Sequence, residues 1–373
     1  MIPLARALLE QGDSVGWATA AEFCPRLVNE GFEAMPAGLG GEAGLAEFLR
    51  RFPEVRGMPA RERPPFMFPR MFGALRARPM LNDLLPIARQ WKPSLIVHEA
   101  AEFAGPVAAA RLGVPSVSHS FGALLPPERV MSALVHVAPL WEAHGLDARP
   151  YGGFYEHLYL DIYPKGLGSA EAAHVPFVQA LRPVAFALPG DDPLPEWLGP
   201  DDSRPIVYVT FGTVFNTDVK LFAAVVEAIR TLAVRVIVTV GQAGNPAALG
   251  PQPANVHVAR YVPQMAILRV CSVVVSHAGS GTFLAALARG LPQVCLPQAA
   301  DQFGNAEACA AAGAGLAIEP GGATVESVRE ATARVLAEPS FRAAAQRLSQ
   351  EITMMPSPDA VAGILKRRFA AQV

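Results

Sequence analysis

Long apolar runs are missing from this chain: no stretch approaches the roughly 20 consecutive apolar residues that a membrane-spanning helix needs. The amino end also lacks the basic flank and small-residue cleavage site of a secretory leader, so the expectation is a cytoplasmic protein with no membrane span. Metal-ligand spacing is absent as well. Cys24, Cys271, Cys295 and Cys309 form neither a CxxC pair nor a Cys/His cluster, and they read as reduced, packed thiols. Charge of one sign does not accumulate, because 31 Lys and Arg stand against 33 Asp and Glu and no basic block offers a footprint for a phosphate backbone. Nucleic acid is therefore not an expected partner. Low-complexity tracts and short-period repeats are missing too.

What the chain does have is core: 51% hydrophobic residues over a length of 373 suit two α/β domains better than one. Its 35 prolines sit largely at strand ends and loop starts, as in Gly113-Val-Pro115 and Gly290-Leu-Pro292. Apolar spacing predicts a helix over 1–11, a strand over 14–19 and a helix over 20–30, then a strand–helix–strand unit over 93–98, 101–112 and 114–119. An alternating fold normally opens on a buried strand, and none precedes the first helix, so a strand is expected upstream of Met1. The Pro-rich and acidic segment 182–205 reads as a linker. A second alternating series follows, with strands at 206–211, 234–240, 256–259, 272–276 and 293–296 and helices at 221–232 and 280–289. Helices at 306–312, 325–337, 340–352 and 359–369 end the chain. The expected domains are 1–188, 205–355, and a terminal helical stretch 356–373 that packs back toward the first.

The most informative stretch is Ser272-Val-Val-Val-Ser-His277-Ala-Gly279-Ser280-Gly281-Thr282, where a β-branched strand breaks into a small-residue turn that starts a helix. Backbone N–H groups from Gly279 to Thr282, the hydroxyls of Ser280 and Thr282 and the helix dipole together suit a phosphate group. Tight strand-to-helix packing, with His277 as an ordinary hydrogen-bonded imidazole, would use the same residues. A serine-hydrolase elbow fails, because Ser280 has Ala278 and Thr282 where that turn wants glycines, and no His follows it. Gly38-Leu-Gly40-Gly41 is only a weak echo of a dinucleotide fingerprint and reads as a loop.

Four successive motifs, His277-Ala-Gly279-Ser-Gly281-Thr282, Gly290-Leu-Pro292-Gln293, Asp301-Gln302-Phe303-Gly-Asn305-Ala306 and Ala312-Gly-Ala-Gly315, resemble the nucleotide-sugar signature of the family 1 glycosyltransferases. The actinobacterial members that decorate natural products are the most similar. The resemblance implies the α/β GT-B fold, two Rossmann-like domains with parallel sheets facing across a cleft, with the donor held by the second domain and the acceptor by the first. It also implies that His277, Gly279, Ser280, Gly281 and Thr282 bind the diphosphate and that Asp301 and Gln302 hydrogen-bond sugar hydroxyls. Asp301 could instead simply cap its own helix. Tyr261-Val262-Pro-Gln264 matches the family segment that receives the base, and Phe211-Gly-Thr213 places Thr213 near the phosphates or the acceptor.

The activity implied is an inverting transfer that uses no metal and no bound cofactor, the nucleotide diphosphate sugar (dTDP- or UDP-linked) being a co-substrate and a hydroxyl of a hydrophobic natural product the acceptor. Family members carry the base, a His oriented by a carboxylate, in a Gly-His turn ahead of a segment like Met1 to Leu8, and that turn is not in this sequence. Leu95-Ile-Val-His98-Glu99 matches the strand end bearing the carboxylate, which makes Glu99 the expected catalytic residue with Glu102 in reserve. His98 and His119 are the substitute bases to test, although strand-end histidines bonded to backbone are the plainer reading; His136, His144, His157, His174 and His257 stay unassigned. A homodimer stands among the expected partners, although the sequence itself does not reveal the oligomeric state. The rival functions are a nucleotide-sugar-binding partner protein without turnover and an epimerase of the same fold.

Overall fold

The computed structural model describes residues 1–168, 173–185, 198, 203–212, 219–241 and 244–369, in two compact units. The first comprises residues 1–162, 170–182 and 356–373, and the second 163–169 and 183–355. Most of the Pro-rich segment read as a linker lies outside the described residues, as does Thr213. The exchange near residue 163 is a difference from the sequence boundary: the short 3₁₀ turn Lys165–Leu167 is tied to the second unit, Gly166 N–H donating to the Glu351 carboxylate at 2.9 Å. Among the described residues no helix is long and apolar enough to cross a membrane.

The first unit holds β1 (Gly16–Thr19) and β2 (Glu33–Pro36), paired in parallel, and β3 (Ile96–Glu99), β4 (Ser116–His119), β5 (Leu158–Asp161) and β6 (Val178–Ala180), a parallel sheet in that order. No ladder joins β1 to β3. Burial reflects that gap. β4 is buried at all four positions, whereas β1 is only half-buried throughout and β3 is buried at His98 alone. Helix Ile2–Glu10 packs Leu4 and Ala7 against Val117, Leu158 and Leu160 and the terminal helix Pro358–Phe369, while its Ala5 joins Leu27 and Phe32 near β1 and β2. The helix expected over 20–30 divides into a 3₁₀ turn, Ala21–Phe23, and an α-helix, Cys24–Asn29, with Pro25 in its first turn, where a missing N–H costs nothing.

The second unit carries β7 (Ile206–Thr210), β8 (Arg235–Thr239), β9 (Val256–Ala259), β10 (Val273–Ser276), β11 (Gln293–Cys295) and β12 (Gly315–Ala317) in the parallel order β12-β11-β10-β7-β8-β9. Helices Val219–Ile229 and Val325–Ala337 cover one face, with Phe222, Val225 and Val328 on Val207 and Val209. Helices Gln264–Ile267 and Ser280–Ala288 cover the other, with Ile267 and Ala286 on Tyr208 and Val274. Both faces are thus apolar, which explains why β7 and β10 read as near-continuous apolar, mostly β-branched runs rather than alternating ones. From β7 the order runs outward to β9 on one side and to β12 on the other. The strand order therefore reverses between β7 and β10, and in open α/β sheets a ligand binds beyond the strand ends at such a point.

Candidate active site

Register brings three turns to that reversal. Thr210 pairs with Ser276 and Ser276 with Cys295, so the chain leaves β7, β10 and β11 at one level and enters turns at Gly212, at His277 to Gly279 and at Pro297 to Asp301. Each turn contains left-handed backbone: Gly212 has φ 71°, Ala278 φ 60° and Ala300 φ 54°. For the two alanines this conformation costs energy that the surrounding contacts must hold, a pattern found at binding and catalytic turns. The His277 ring lies between two glycines. A Cβ at Gly212 would come within 2.8 Å of its Cε1 and one at Gly279 within 2.5 Å of its Nε2, so no larger residue fits either position without moving the ring.

Helix Ser280–Ala288 starts directly after this turn. Its first-turn N–H groups have no acceptor within the helix, and two of them are contributed by residues with different surroundings. Ser280 donates from its backbone N at 3.2 Å and from its hydroxyl at 2.5 Å to Oδ2 of Asp301. Gly281 is exposed and faces open space. Asp301 thus does not cap its own helix, Gln302–Ala311, but supplies an anion at the start of the neighbouring one. Asn305 completes the arrangement: fully buried, its Nδ2 reaches the Ala278 carbonyl at 2.9 Å, the Ser280 hydroxyl at 3.0 Å and Asp301 Oδ2 at 3.0 Å, while its Oδ1 accepts from the Tyr163 hydroxyl at 3.2 Å. Neither Asn305 nor Tyr163 stood out in the sequence as a site residue. Asn305→Ala should lower folding stability by about 2–4 kcal/mol, because it strands several buried polar groups at once. Chemical denaturation checks this, and an unchanged midpoint would deny that the network is closed.

The other expected donor residues are distributed as follows. Ser280 and Thr282 are nearly buried beside the turn. Gln302 is buried, its Oε1 accepting the N–H groups of Gln298 at 2.7 Å and Ala299 at 2.9 Å, so in this geometry it shapes the loop that carries Asp301. Tyr261 follows β9, two strands from β7, with its side chain 46% exposed; Val262 is buried and Gln264 opens a short helix. Burial lowers the pKa of His277, while the Asp301 carboxylate and the Thr210 backbone favour its charged form.

In the first unit, β3 delivers Glu99 to a cavity of about 880 Å³ whose wall also includes Phe72, Arg76, Met80 and Glu102. Burial raises the pKa of Glu99 and the Arg76 guanidinium opposes it. Arg76 closes a π-helical stretch, Pro69–Arg76, and the sequence offered no sign of either. Glu102 is committed elsewhere, for its two oxygens accept the Ala104 and Gly105 N–H groups at 2.8 and 2.7 Å and so cap helix Ala104–Leu112. His98 and His119 are buried with pKa values lowered to about 4 and about 3, chiefly by burial, and each bonds through Nδ1 to the carbonyl of the next residue. The plainer reading of both is what the geometry shows.

Burial pushes Glu102 up to about 7 against the lowering effect of the two N–H groups, with Glu99 raising it further. Its protonated form is favoured by folding, so its contribution is complete below the ordinary value of 4.5 and is lost as pH rises through 7. Between pH 4.5 and 8 the wild type should lose about 3 kcal/mol relative to Glu102→Gln. A pH-independent difference in urea unfolding would contradict this.

Residues 223–367 match the family described as erythromycin biosynthesis protein CIII-like, C-terminal domain, and residues 62–141 match its N-terminal domain counterpart. Aklavinone 7-beta-L-rhodosaminyltransferase of Streptomyces galilaeus is 30% identical over 99% of this chain and 92% of its own length. L-demethylnoviosyl transferase of Streptomyces niveus is 31% identical over 97% of this chain and 92% of its own. Among solved structures, the glycosyltransferase VinC in complex with dTDP has a TM-score of 0.80 and 28% identity, covering 100% of this chain and 96% of that one.

Proposed function

The chain belongs to the EryCIII-like glycosyltransferases, and from that premise we propose that it moves a sugar from a dTDP- or UDP-linked donor to a hydroxyl of a hydrophobic natural product, with inversion and without a metal. The observation that carries this reading is the meeting of three strand-end turns on the open start of helix Ser280–Ala288, where the sheet order reverses. The diphosphate sits against the amides of Gly281 and Thr282 and the edge of His277, where the positive end of the helix dipole favours it. Asp301 faces the sugar with the oxygen that Ser280 and Asn305 leave free, Gln302 holds its loop, and the Tyr261 and Val262 segment packs on the base. Thymidine diphosphate as the nucleotide is supported by the bound dTDP of VinC.

In the transfer, the acceptor oxygen forms a bond to the anomeric carbon as the bond from that carbon to the diphosphate oxygen breaks. The electron pair leaves with the diphosphate, whose growing charge meets donors already fixed in place. The acceptor proton moves toward Glu99, and the raised pKa of that carboxylate makes it a stronger base than an exposed one. The apolar wall of the first unit's cavity, with Phe72 and Met80 among its residues, suits a bulky apolar acceptor. Incubating the protein with dTDP- and UDP-sugars and a panel of aromatic and macrolide alcohols tests the reading by mass spectrometry. Donor-dependent addition of one sugar mass to an acceptor is expected; a sugar altered with no acceptor consumed would contradict it.

A further inference from the structure

We propose that Arg76 is a specificity-determining residue for the acceptor, pairing with an ionised oxygen, a carboxylate or an acidic phenol, on the ring system that carries the reacting hydroxyl. This rests on the acceptor reading of the first unit's cavity and narrows it from a bulky apolar alcohol to an acidic one. Charge is the first ground. Of the two Lys or Arg side chains on the cavity wall, Lys366 is occupied, pairing with the Asp13 carboxylate at 3.2 Å and donating to the Gln11 carbonyl at 2.8 Å. Arg76 is not. Among the described residues its guanidinium makes no hydrogen bond and no ion pair, and its Nε is buried without a partner. Glu22 and Glu99 both feel its charge, yet neither closes a salt bridge with it. A buried donor left unpaired is costly, the more so when it is charged, and a ligand oxygen that meets it removes that cost.

Placement is the second ground. Packing rather than polar bonding holds the guanidinium. A Cβ at Gly44 would lie 3.2 Å from Nη2, 3.3 Å from Nε and 3.6 Å from Cζ, so the group lies across the Gly44 backbone in helix Gly41–Arg51, with the Phe72 ring centroid 5.8 Å from Cζ. Arg70, earlier in the same stretch Pro69–Arg76, shows the contrast. Its guanidinium lies 3.9 Å over the Phe66 ring and donates to the Phe66 carbonyl at 3.1 Å, which makes it a strut within the fold. Arg76 has no bond of that kind. An arginine fixed by apolar contacts, with its forked N–H groups uncommitted, presents the geometry that recognises paired oxygens. Phe72 and Met80 on the same wall keep water away and so strengthen attraction to an anion. An acceptor anchored there by its anion has its remaining atoms in the cavity that contains Glu99.

Equilibrium dialysis near neutral pH with three probes of one skeleton tests this without calling on turnover. Hydroxynaphthoate offers a carboxylate, dinitronaphthol a phenolate, and unsubstituted naphthol a neutral hydroxyl. In the wild type at least one anion should bind about tenfold or more tightly than naphthol, and the anion that does so identifies the source of the charge. Arg76→Met should abolish that preference while changing naphthol affinity by less than about twofold. Arg76→Lys should keep part of it, since the charge stays and the fork goes. The wild-type preference is readable even where Arg76→Met fails to fold. Equal affinities for the three probes, no binding of any of them, or an anion preference that survives Arg76→Met overturns the proposal. Sugar transfer is assayed apart. Transfer to either anionic probe with the same KM in wild type and Arg76→Met would sink this inference and leave the transferase reading intact; Arg76-dependent anion binding with no transfer to any acceptor would do the reverse.

Discussion

Glu99→Gln should lower kcat by about 10²–10⁴-fold while leaving the dissociation constant for the nucleotide sugar unchanged. The size follows from the work assigned to this carboxylate. Glutamine keeps the volume and one acceptor oxygen at the end of β3, but it cannot take a proton as the acceptor oxygen attacks. The split between kcat and donor affinity follows from location, because Glu99 belongs to the first unit and the turn proposed to hold the diphosphate belongs to the second. Steady-state kinetics combined with calorimetric titration of the donor separate the two quantities. Full turnover in Glu99→Gln would remove this residue from the chemistry and leave its raised pKa as a consequence of burial alone.

Asp301→Ala should have the second large effect, and its pattern is more telling than its size. The carboxylate accepts from Ser280 through Oδ2 in the structure, where it stands as an anion at the start of helix Ser280–Ala288. If Asp301 holds the sugar as proposed, its removal should lower kcat/KM for the nucleotide sugar by about 10²-fold, the cost of losing charged hydrogen bonds in a closed site. The free nucleoside diphosphate should behave differently. It makes no use of the sugar contact, and loss of a neighbouring negative charge removes a repulsion, so its affinity should hold or rise. Parallel titrations with diphosphate and with sugar-linked donor show the split. Equal losses for both would place Asp301 at the phosphates or in the scaffold instead.

Much of the second unit was legible because its strands are buried on both faces. Runs such as Ile206 to Thr210 and Val273 to Ser276 are mostly β-branched and fall within a residue or two of the expected places. Three-residue β12 was missed, since Gly315 must lack a side chain where its Cβ would meet the Gln293 carbonyl, and glycine carries no strand signal. In the first unit, β2 runs through Glu33 and Pro36 with both ends exposed, and β5 and β6 are too short to show a period. Helix Gln302–Ala311 begins four residues earlier than expected because Asp301 and Gln302 look like loop residues until their bonds are seen.

The turn at residues 277–282 stood out because its small residues fall directly between a β-branched strand and a helix, which is where the structure places them. What surrounds it did not. Tyr163 and Asn305 are 142 positions apart and meet only through the fold, and the charge of Arg76 acts on Glu99 from a π-helical stretch with no recognisable pattern. Motif position ranked Glu99, the last residue of β3, ahead of Glu102, but only the geometry shows that Glu102 spends its oxygens on the Ala104 and Gly105 amides.

Calorimetric titration of dTDP into wild-type and His277→Ala protein tests the proposed diphosphate site at residues 277–282 without requiring an acceptor or a sugar. The imidazole is seated between Gly212 and Gly279 at the edge of the open helix start, so its loss should weaken dTDP binding by about tenfold or more, the value of a charged or near-charged hydrogen bond. An unchanged dissociation constant in a variant that folds normally would contradict the placement of the diphosphate at residues 277–282.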